Sequence, residues 1–361
     1  MRVVVIGGGI NGLLTTRELL AAGAEVILLE RGLLGQEASW AGGGIVSPLY
    51  PWRYPPAVTA LASWAQQAYP GLAGALLAET GIDAEFERCG LLFVDAPDAR
   101  DARVWAQQQG MSLEVLEHEA LHARWPGLAA DAGSGLFLPA LANIRNPRLI
   151  KALIASLRAQ PRASLREQAG VTGLRAASGM APAVVLADGE VVTGDAVVVC
   201  GGAWSAQLLA ASGVMLPVRP VRGQMQLYQL APGALPNMIM RGGHYVIPRR
   251  DGHVLCGSTL EEAGFDKSVT TQAHDTLRRA ASGLWPALAG APLVRQWAGL
   301  RPGSPNGIPF IGAVPGLEGV WVNAGQFRNG LVLAPASARL MADLVLGRAP
   351  ALDPLPYSLP G

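Results

Sequence analysis

One glycine-rich run near the start of this 361-residue chain has the spacing of a nucleotide-binding turn. The run Gly7-Gly8-Gly9-Ile10-Asn11-Gly12 contains the pattern G-x-G-x-x-G. Gly7 permits a tight turn, Gly9 lets backbone N–H groups approach a pyrophosphate, and Gly12 lets a helix pack closely on a strand. Glu30 follows at a spacing that suits a carboxylate bound to an adenosine ribose.

Two polar residues in apolar surroundings could bind a charged ligand. Arg301 follows Trp297-Ala298-Gly299-Leu300 and precedes Pro302-Gly303. An arginine in such a setting is rarely buried without a partner, and its planar fork matches a carboxylate. Tyr245 opens a strand pattern from which its hydroxyl could point into a cavity. From the residues alone, a structural ion pair is as good an interpretation of Arg301 as a ligand-binding role. An ordinary sheet tyrosine with a satisfied hydroxyl is likewise as good an interpretation of Tyr245.

The elements around the glycine run complete its context. Residues 3–6 and 25–29 are apolar runs that predict two buried parallel strands. A helical stripe of leucines lies between them and ends at Gly23. This strand–turn–helix–strand order is what the glycine pattern requires, and it predicts a Rossmann-type unit that binds a dinucleotide.

Elements later in the chain indicate which dinucleotide. Residues 245–248 and 253–257 alternate around an Asp-Gly turn and predict a hairpin. Residues 331–346 predict a helix that ends at Gly347. Two further glycine clusters, at residues 42–44 and 201–202, favour FAD over NAD, because an extended FAD needs more points of close backbone approach.

Composition narrows the class of protein. The net charge of +1 favours neither nucleic acid nor an anionic membrane as a partner. Half of the residues are hydrophobic and 15% are charged, which excludes a disordered chain. Three widely spaced cysteines fit a reducing, cytoplasmic compartment. Neither a signal peptide nor a membrane span is predicted.

One motif points to a metal and is set aside. His118-Glu119-Ala120-Leu121-His122 matches the HExxH pattern of zinc proteases. No Asp or Glu follows at the usual distance, and Trp125 and Leu128 replace the glycine and the histidine of the extended motif. We therefore predict no metal site, and a short amphipathic surface helix over residues 114–124.

Three stretches give the chain a family resemblance: residues 37–44 (EASWAGGG), 297–303 (WAGLRPG) and 325–331 (GQFRNGL). From Val3 to about Gly347 the chain resembles the D-amino-acid oxidase superfamily of flavoproteins and, within it, the bacterial glycine oxidases of the thiamine pathway. The resemblance implies an α/β plus α+β fold, in which a Rossmann-type FAD-binding domain interleaves with an antiparallel-sheet substrate domain. The implied bounds are 1–82, 141–214 and 302–347 for the FAD-binding domain, 83–140 and 215–301 for the substrate domain, and 348–361 for an irregular tail.

The resemblance also implies the roles of individual residues. Arg301 would bind the substrate carboxylate with the help of Tyr245, and Arg328 would lie near the substrate. Gln326 replaces the histidine that is common in related glycine oxidases. Any inference about reactivity with O2 that depends on a positive charge at that position therefore does not apply to this chain. FAD would be bound by Gly7, Gly9, Ile10, Asn11, Gly12, Glu30, Arg31, Glu37, Ala38, Gly42, Gly43, Gly44, Val171, Gly201, Gln326, Phe327, Arg328, Asn329, Gly330, Leu331 and Val332.

The implied reaction is the oxidative deamination of glycine and other small D-amino or secondary amino acids by hydride transfer to flavin N5. The products would be a 2-oxo acid, ammonia and hydrogen peroxide. The FAD would be non-covalent, because none of the cysteines lies between Trp297 and Gly312, where the related sarcosine oxidases tether their flavin. A homo-oligomer is also implied, as a tetramer by family resemblance. Two alternatives stay open: a D-amino-acid or D-proline-type dehydrogenase that reduces a quinone, and a flavin-binding module without turnover.

Overall fold

The computed structural model describes residues 1–176 and 179–359. The strands, in chain order, are β1 (Arg2–Ile6), β2 (Glu25–Leu29), β3 (Leu91–Val94), β4 (Glu114–Glu117), β5 (Ser134–Leu138), β6 (Ala163–Arg166), β7 (Val171–Arg175), β8 (Ala183–Leu186), β9 (Val191–Thr193), β10 (Ala196–Val199), β11 (Arg219–Gln229), β12 (Met238–Arg241), β13 (His244–Pro248), β14 (His253–Gly257), β15 (Leu293–Gly303), β16 (Phe310–Ala313) and β17 (Val320–Ala324). The α-helices are α1 (Ile10–Ala21), α2 (Ala38–Ala41), α3 (Pro56–Thr80), α4 (Ala99–Gln108), α5 (His118–Arg124), α6 (Asn146–Arg158), α7 (Ser205–Ala210), α8 (Thr271–Leu284) and α9 (Gly330–Val345).

A six-stranded sheet contains the glycine-rich turn, with the strand order β16-β17-β10-β1-β2-β6. Its strands are parallel except at the β16–β17 edge. The central strand β1 is fully buried from Val3 to Val5, which is why its sequence is a continuous apolar run. Helix α1 leaves the sheet directly after the turn and packs against α9. The predicted strand–turn–helix–strand unit is confirmed.

A second sheet has eight strands, in the order β15-β11-β14-β13-β12-β3-β5-β4. The predicted hairpin is present as β13 and β14, and Gly252 in its turn has a φ of +85°. The sheet was expected to be antiparallel, but β12 and β3 pair in parallel. Its strands come from two separate parts of the chain, and β15 runs past the predicted boundary after residue 301. The domain bounds themselves stay a prediction.

One local prediction is wrong. Residues 114–117 form strand β4, paired with β5, so the predicted helix over residues 114–124 begins only at His118. The predicted irregular tail contains a turn of 3-10 helix at Leu355–Tyr357. The Tyr357 side chain is buried, and its hydroxyl donates to the Ala57 carbonyl at 2.8 Å. An aromatic anchor with a satisfied hydroxyl therefore fixes the tail to α3.

Helix α3 is the longest helix, with 25 residues and Pro70 in its interior. Its buried residues include Leu61, Ala65 and Tyr69, and the Tyr69 hydroxyl donates to the Leu331 carbonyl of α9 at 2.5 Å. Within residues 1–176 and 179–359, no helix combines the length and the hydropathy needed to cross a bilayer.

Candidate cofactor and substrate site

Two cavities join into one cleft between the two sheets. The first, of about 320 Å³, begins beside the ends of β1 and β2 and includes Glu30. The second, of about 150 Å³, reaches Tyr245 and Arg301 on the eight-stranded sheet. The carboxyl edge of a parallel sheet is where α/β folds bind nucleotides. The two cavities are neighbours, since both are lined by Gly9, Ala38, Ser39, Cys200 and Gly202.

The predicted site residues lie together along this cleft, with Gly12 as the exception. Gly12 faces the turn instead, since a Cβ there would lie 1.8 Å from the Gly7 carbonyl oxygen. The first cavity is lined by Gly7, Gly9, Glu30, Arg31, Glu37, Ala38, Val171 and Gly201. The second is lined by Gly9, Ile10, Asn11, Ala38, Gly42, Gly43, Gly44, Tyr245, Arg301, Gln326, Phe327, Arg328, Asn329, Gly330, Leu331 and Val332.

The glycine-rich turn has the shape of a phosphate cradle. Gly7 has a φ of +106°, and a Cβ there would lie 2.4 Å from the Cys200 carbonyl oxygen. The Glu30 carboxylate accepts hydrogen bonds from the backbone N–H groups of Gly8, at 2.7 Å, and Gly32, at 2.9 Å. These bonds fix the carboxylate at the end of β2, beside the first cavity. Only glycine fits the turn, so the backbone itself is exposed to a ligand.

The outer rim of the first cavity is charged and aromatic. The Arg31 guanidinium lies 3.7 Å from the centre of the Trp204 ring and 3.0 Å from the Glu37 carboxylate. Lys267 reaches the same carboxylate at 3.0 Å. An aromatic ring with an arginine stacked on it is a surface that suits an adenine and its phosphates.

Several buried polar atoms beside the second cavity lack a partner in the described part of the chain. Gln326 donates to Asn323 Oδ1 at 2.6 Å, but its own Oε1 accepts no hydrogen bond. The same holds for Asn11 Oδ1 and for both side-chain polar atoms of Asn329. Unsatisfied buried groups are costly, so they indicate a polar ligand. A flavin carries donors and acceptors along its pyrimidine edge, and these residues fit it.

Arg301 projects into the second cavity from β15. Its Nη2 donates to Ser258 Oγ at 2.7 Å and its Nη1 to the Thr259 carbonyl at 3.2 Å. No carboxylate oxygen of the described residues lies within 4.0 Å of it, which removes the structural ion pair as an interpretation. Burial lowers the pKa of the Arg301 guanidinium, and the charge of Arg328 lowers it further. A half-buried guanidinium that has no carboxylate partner in the described residues favours the binding of an anionic ligand.

Tyr245 lies in β13, is buried, and lines the same cavity as Arg301. Its hydroxyl donates to Met225 Sδ at 3.7 Å, a weak acceptor that leaves the group available to a ligand. Gly43 and Gly257 leave room for the Tyr245 ring. A Cβ added at residue 43 would lie 3.1 Å from the Tyr245 hydroxyl oxygen, and one added at residue 257 would lie 2.8 Å from Tyr245 Cζ. The hydroxyl thus points into the cavity, as the strand pattern suggested it could.

Arg328 stands between the second cavity and an outer vestibule. It lies in the 3-10 turn Phe327–Asn329 that leads into α9. The vestibule, of about 470 Å³, also contains Tyr50 and Arg53. Burial and the charge of Arg328 both lower the pKa of nearby His244. An anion that enters from this side would therefore pass Arg328 before it reaches the second cavity.

Comparison with known proteins decides the family. The model of the family described as FAD dependent oxidoreductase matches residues 2–344. The chain belongs to this family. It is 52% identical to the glycine oxidase of Pseudomonas aeruginosa over 360 residues, covering 100% of this chain and 99% of the relative. It is 50% identical to the glycine oxidase of Pseudomonas putida, covering 100% of this chain and 98% of the relative.

Solved structures agree with the fold of this oxidoreductase. The crystal structure of glycine oxidase from Geobacillus kaustophilus superposes with a TM-score of 0.94 at 29% identity, covering 99% of this chain and 98% of that chain. An iminodiacetate oxidase from Chelativorans sp. superposes with a TM-score of 0.89 at 26% identity, covering 99% and 98%. The predicted fold class, a Rossmann-type unit combined with a second large sheet, is confirmed.

Sequence reasoning missed three residues of this site. Asn146, the first residue of α6, donates to the Ser39 carbonyl at 3.0 Å, and its Oδ1 has no partner in the described residues. The pair Asn146-Pro147 was a helix-start signal that could have revealed it. Ser258 follows the predicted hairpin directly and holds Arg301. Arg249 lies in the hairpin turn, and no sequence signal separates it from the adjacent Arg250.

The HExxH segment lies elsewhere in this oxidoreductase. The rings of His118 and His122 are 4.4 Å apart, and His122 Nε2 lies 3.0 Å from the Ala132 carbonyl. Across residues 1–176 and 179–359, no three His, Cys, Asp or Glu side chains are grouped to hold a metal ion.

Proposed function

We propose that this FAD-dependent oxidoreductase deaminates glycine and other small D-amino or secondary amino acids, with O2 as the electron acceptor. The observation that carries the proposal is Arg301, whose guanidinium faces the cleft with no carboxylate beside it in the described residues. An amino acid supplies that carboxylate, and Arg binds it through two parallel hydrogen bonds. Support also comes from the glycine oxidases that are 50% and 52% identical over the full chain.

We propose that FAD extends along the whole length of the cleft. We propose that Glu30, Arg31 and Val171 bind the adenosine end, and that the turn at residues 7–12 binds the pyrophosphate through backbone N–H groups and the N-terminus of α1. The loop at residues 42–44 and residues 326–332 would line the ring system. When bound, FAD supplies a two-electron acceptor that takes a hydride from carbon and is reoxidised by O2.

The residues of the chain itself act by positioning. Arg301 and Tyr245 would hold the two carboxylate oxygens, so that the substrate α-carbon is presented to the cofactor in one orientation. Ser258 and the Thr259 carbonyl fix the guanidinium from behind. In the described part of the chain, the lining of the second cavity contains no Asp, Glu or His. We propose that the substrate ammonium group gives its proton to solvent before it binds, so that hydride transfer needs no proton acceptor from these lining residues.

We propose that the FAD is held without a covalent bond. Cys200 lines both cavities, but burial raises the pKa of its thiol to about 12, so it is not a nucleophile at neutral pH. Cys256 is buried too, and burial likewise raises the pKa of its thiol to about 12. Acid precipitation separates the two cases: the flavin is expected in the supernatant, and a yellow pellet would contradict the proposal.

The cellular setting stays a proposal as well. We propose a reducing, cytoplasmic location, supported by three cysteines that form no disulfide. A homo-oligomer and a role in thiamine biosynthesis are proposed from the resemblance. A bifunctional ThiO/ThiG protein from Nostoc sp. is 30% identical to this chain, which covers 52% of that protein's length. Size-exclusion chromatography with light scattering tests the oligomeric state.

Product analysis tests the reaction. The purified protein is incubated under air with glycine, sarcosine, D-alanine and D-proline in turn, and peroxide, ammonia or amine, and 2-oxo acid are measured. One peroxide for each oxo acid is the expected result with glycine. Turnover only with an added quinone would favour the dehydrogenase alternative, for which the uncharged Gln326 is the motivating residue. No turnover with any acceptor would favour a non-catalytic flavin-binding module.

A further inference from the structure

Two arginine side chains are buried in the described part of the chain, and they differ in their partners. Arg222 is paired with Glu261 at 2.6 Å and with Asp266 at 2.5 Å, as a buried cation ordinarily is. Arg249 is also buried, but no carboxylate oxygen of the described residues lies within 4.0 Å of its guanidinium. Burying a charge costs several kcal/mol unless something compensates it. The burial of Arg249 without a carboxylate partner therefore needs a physical explanation.

Arg249 contacts the loop at residues 42–44, which is proposed above to line the flavin ring system. Its Nη1 donates to Asn143 Oδ1 at 2.5 Å and to the Ile144 carbonyl at 3.2 Å. Its Nη2 donates to the Gly43 carbonyl at 2.7 Å. At Gly44, an added Cβ would lie 2.0 Å from the Ile144 carbonyl oxygen and 3.1 Å from Nη2. Arg249 thus clamps the segment Gly43–Gly44, which lines the second cavity.

In the peptide between Gly43 and Gly44, the carbonyl has a partner among the described residues and the N–H has none. In a planar trans peptide, the C=O and the N–H point in opposite directions. The Gly43 carbonyl faces Arg249, so the Gly44 N–H points away from it. Within the described residues, neither the Gly43 N–H nor the Gly44 N–H donates to a protein acceptor. An amide whose carbonyl binds a cation becomes a stronger donor, because the hydrogen bonds polarise each other.

The same strand face serves the substrate clamp. Residues 245, 247 and 249 alternate with their neighbours and lie on one side of the chain as it leaves β13. A Cβ at Gly43 would lie 3.1 Å from the Tyr245 hydroxyl oxygen and 3.1 Å from Ile247 Cδ1. All three side chains therefore contact one glycine loop, with the substrate-facing hydroxyl at one end and the unpaired cation at the other.

We propose that Arg249 is a positioning residue for the flavin. It holds the Gly43–Gly44 peptide with its amide toward the bound ring system, and its charge, passed on through that peptide, favours the reduced cofactor. Reduction adds negative charge to the ring, and a nearby cation without a counter-ion stabilises that charge. The inference rests on the FAD site of the proposed function, but it does not depend on which substrate the protein oxidises.

The charge is present at working pH. Burial lowers the pKa of Arg249 to about 10, with a further lowering by Arg145, so the guanidinium stays protonated at pH 7. Arg145, Glu85 and Asp251 are the charged groups whose fields reach Arg249. Arg145 is paired with both of these carboxylates, and Arg148 adds a second cation to Glu85 at 3.3 Å. The surrounding charges are thus largely matched with one another, which leaves Arg249 as the cation directed at the loop.

The test compares three variants of the FAD-loaded protein. Arg249→Gln removes the charge but can still donate to the Gly43 carbonyl. Arg249→Lys keeps the charge and loses the fork. Arg250→Gln is the matched control, since Arg250 is half-exposed and paired with Asp83 and Glu87. The flavin reduction potential is measured against a reference dye, and the Kd of FAD is measured by quenching of its fluorescence during titration of the apoprotein.

Arg249→Gln is expected to lower the equilibrium constant for flavin reduction on the order of tenfold, which is about 30 mV for a two-electron couple. Arg249→Lys is expected to keep the potential but to raise the Kd of FAD on the order of tenfold. Arg250→Gln should change neither quantity. A Gln variant that holds FAD at the wild-type potential overturns the electrostatic role.

If Arg249→Gln does not fold, Arg249→Lys decides the positioning role alone, and a wild-type Kd of FAD in that variant overturns it. Neither readout needs turnover of glycine. A protein that fails to oxidise glycine can still show the expected Arg249 effect, and an active oxidase can fail to show it, so the two proposals fail separately.

Discussion

Gly223 on β11 leaves the space that the guanidinium of Arg301 occupies. A Cβ at residue 223 would lie 2.0 Å from Nη1 and 2.2 Å from Nη2 of Arg301. Strands β11 and β15 pair in antiparallel register, with Gly223 opposite Gly299 and Arg301 two residues further along β15. Arg301 therefore lies flat across its neighbouring strand because residue 223 has no side chain.

Gly223→Ala is predicted to impair substrate binding more than stability. The methyl group would meet the far end of a flexible side chain, so Arg301 can move aside without unfolding the sheet. The guanidinium then loses its place beside Ser258, and we expect the KM for glycine to rise on the order of tenfold with the Kd of FAD unchanged. Steady-state kinetics and fluorescence titration measure the two quantities.

Gly283→Ala is the control for that substitution. Gly283 lies in α8, and an added Cβ there would meet nothing within 4 Å. Alanine at this helix position should leave KM unchanged and stabilise the fold by up to about 1 kcal/mol. A Gly223→Ala protein with the wild-type KM would show that residue 223 does not fix Arg301.

Tyr245→Phe is predicted to reduce kcat/KM by about tenfold to a hundredfold. The hydroxyl has a thioether as its protein partner, so it is free for the substrate carboxylate. A hydrogen bond to a charged group contributes about 1.5–3 kcal/mol. Tyr228→Phe is the matched control, because its hydroxyl donates to Gln226 Oε1 at 2.5 Å in a separate core cluster. Equal losses in both variants would point to a general effect on the sheet.

Asn146→Ala is predicted to weaken FAD binding. Asn146 holds the Ser39 carbonyl and keeps an unpartnered oxygen beside the second cavity. Loss of both should raise the Kd of FAD on the order of tenfold, by about 1–2 kcal/mol. Asn306→Ala, at an exposed position, is the comparison. A Kd equal to that of Asn306→Ala would exclude Asn146 from the cofactor site.

His244 is predicted to make folding less favourable in acid. Burial and the charge of Arg328 lower its pKa below the ordinary value of 6.5 in the folded state. Between the two values the unfolded chain binds more protons, so stability is present above pH 6.5 and falls as the pH drops toward the folded pKa. The Tm of wild type minus that of His244→Asn should therefore decrease from pH 8 to pH 5. A constant difference would show that His244 titrates normally.

The sequence predicted the elements whose signals are local. A few consecutive residues are enough to specify β1, the glycine turn and the Asp-Gly hairpin. Helix α9 was placed to within one residue at each end for the same reason. Residues 114–117 were misassigned because their alternating exposure arises from pairing with β5, a partner that lies beyond α5 in the chain.

The site was predictable where residue type decides and not where packing decides. Arg301 and Tyr245 stood out by chemistry, but only the fold shows that no carboxylate of the described chain pairs with Arg301. Arg249 and Arg250 are equivalent in sequence. One is buried against the Gly43 carbonyl and the other is half-exposed on the surface, because the hairpin turns between them.

Anaerobic titration with glycine tests the central claim, which is that Arg301 binds the carboxylate of an amino acid beside a bound flavin. The visible absorbance of the FAD-loaded protein is followed in wild type, in Arg301→Ala, and in Arg295→Ala as an exposed control on the same strand. Wild type and Arg295→Ala should bleach at the same glycine concentration, and Arg301→Ala should need at least about tenfold more. Bleaching of Arg301→Ala at the wild-type concentration, or no bleaching of the wild type at all, would contradict the account.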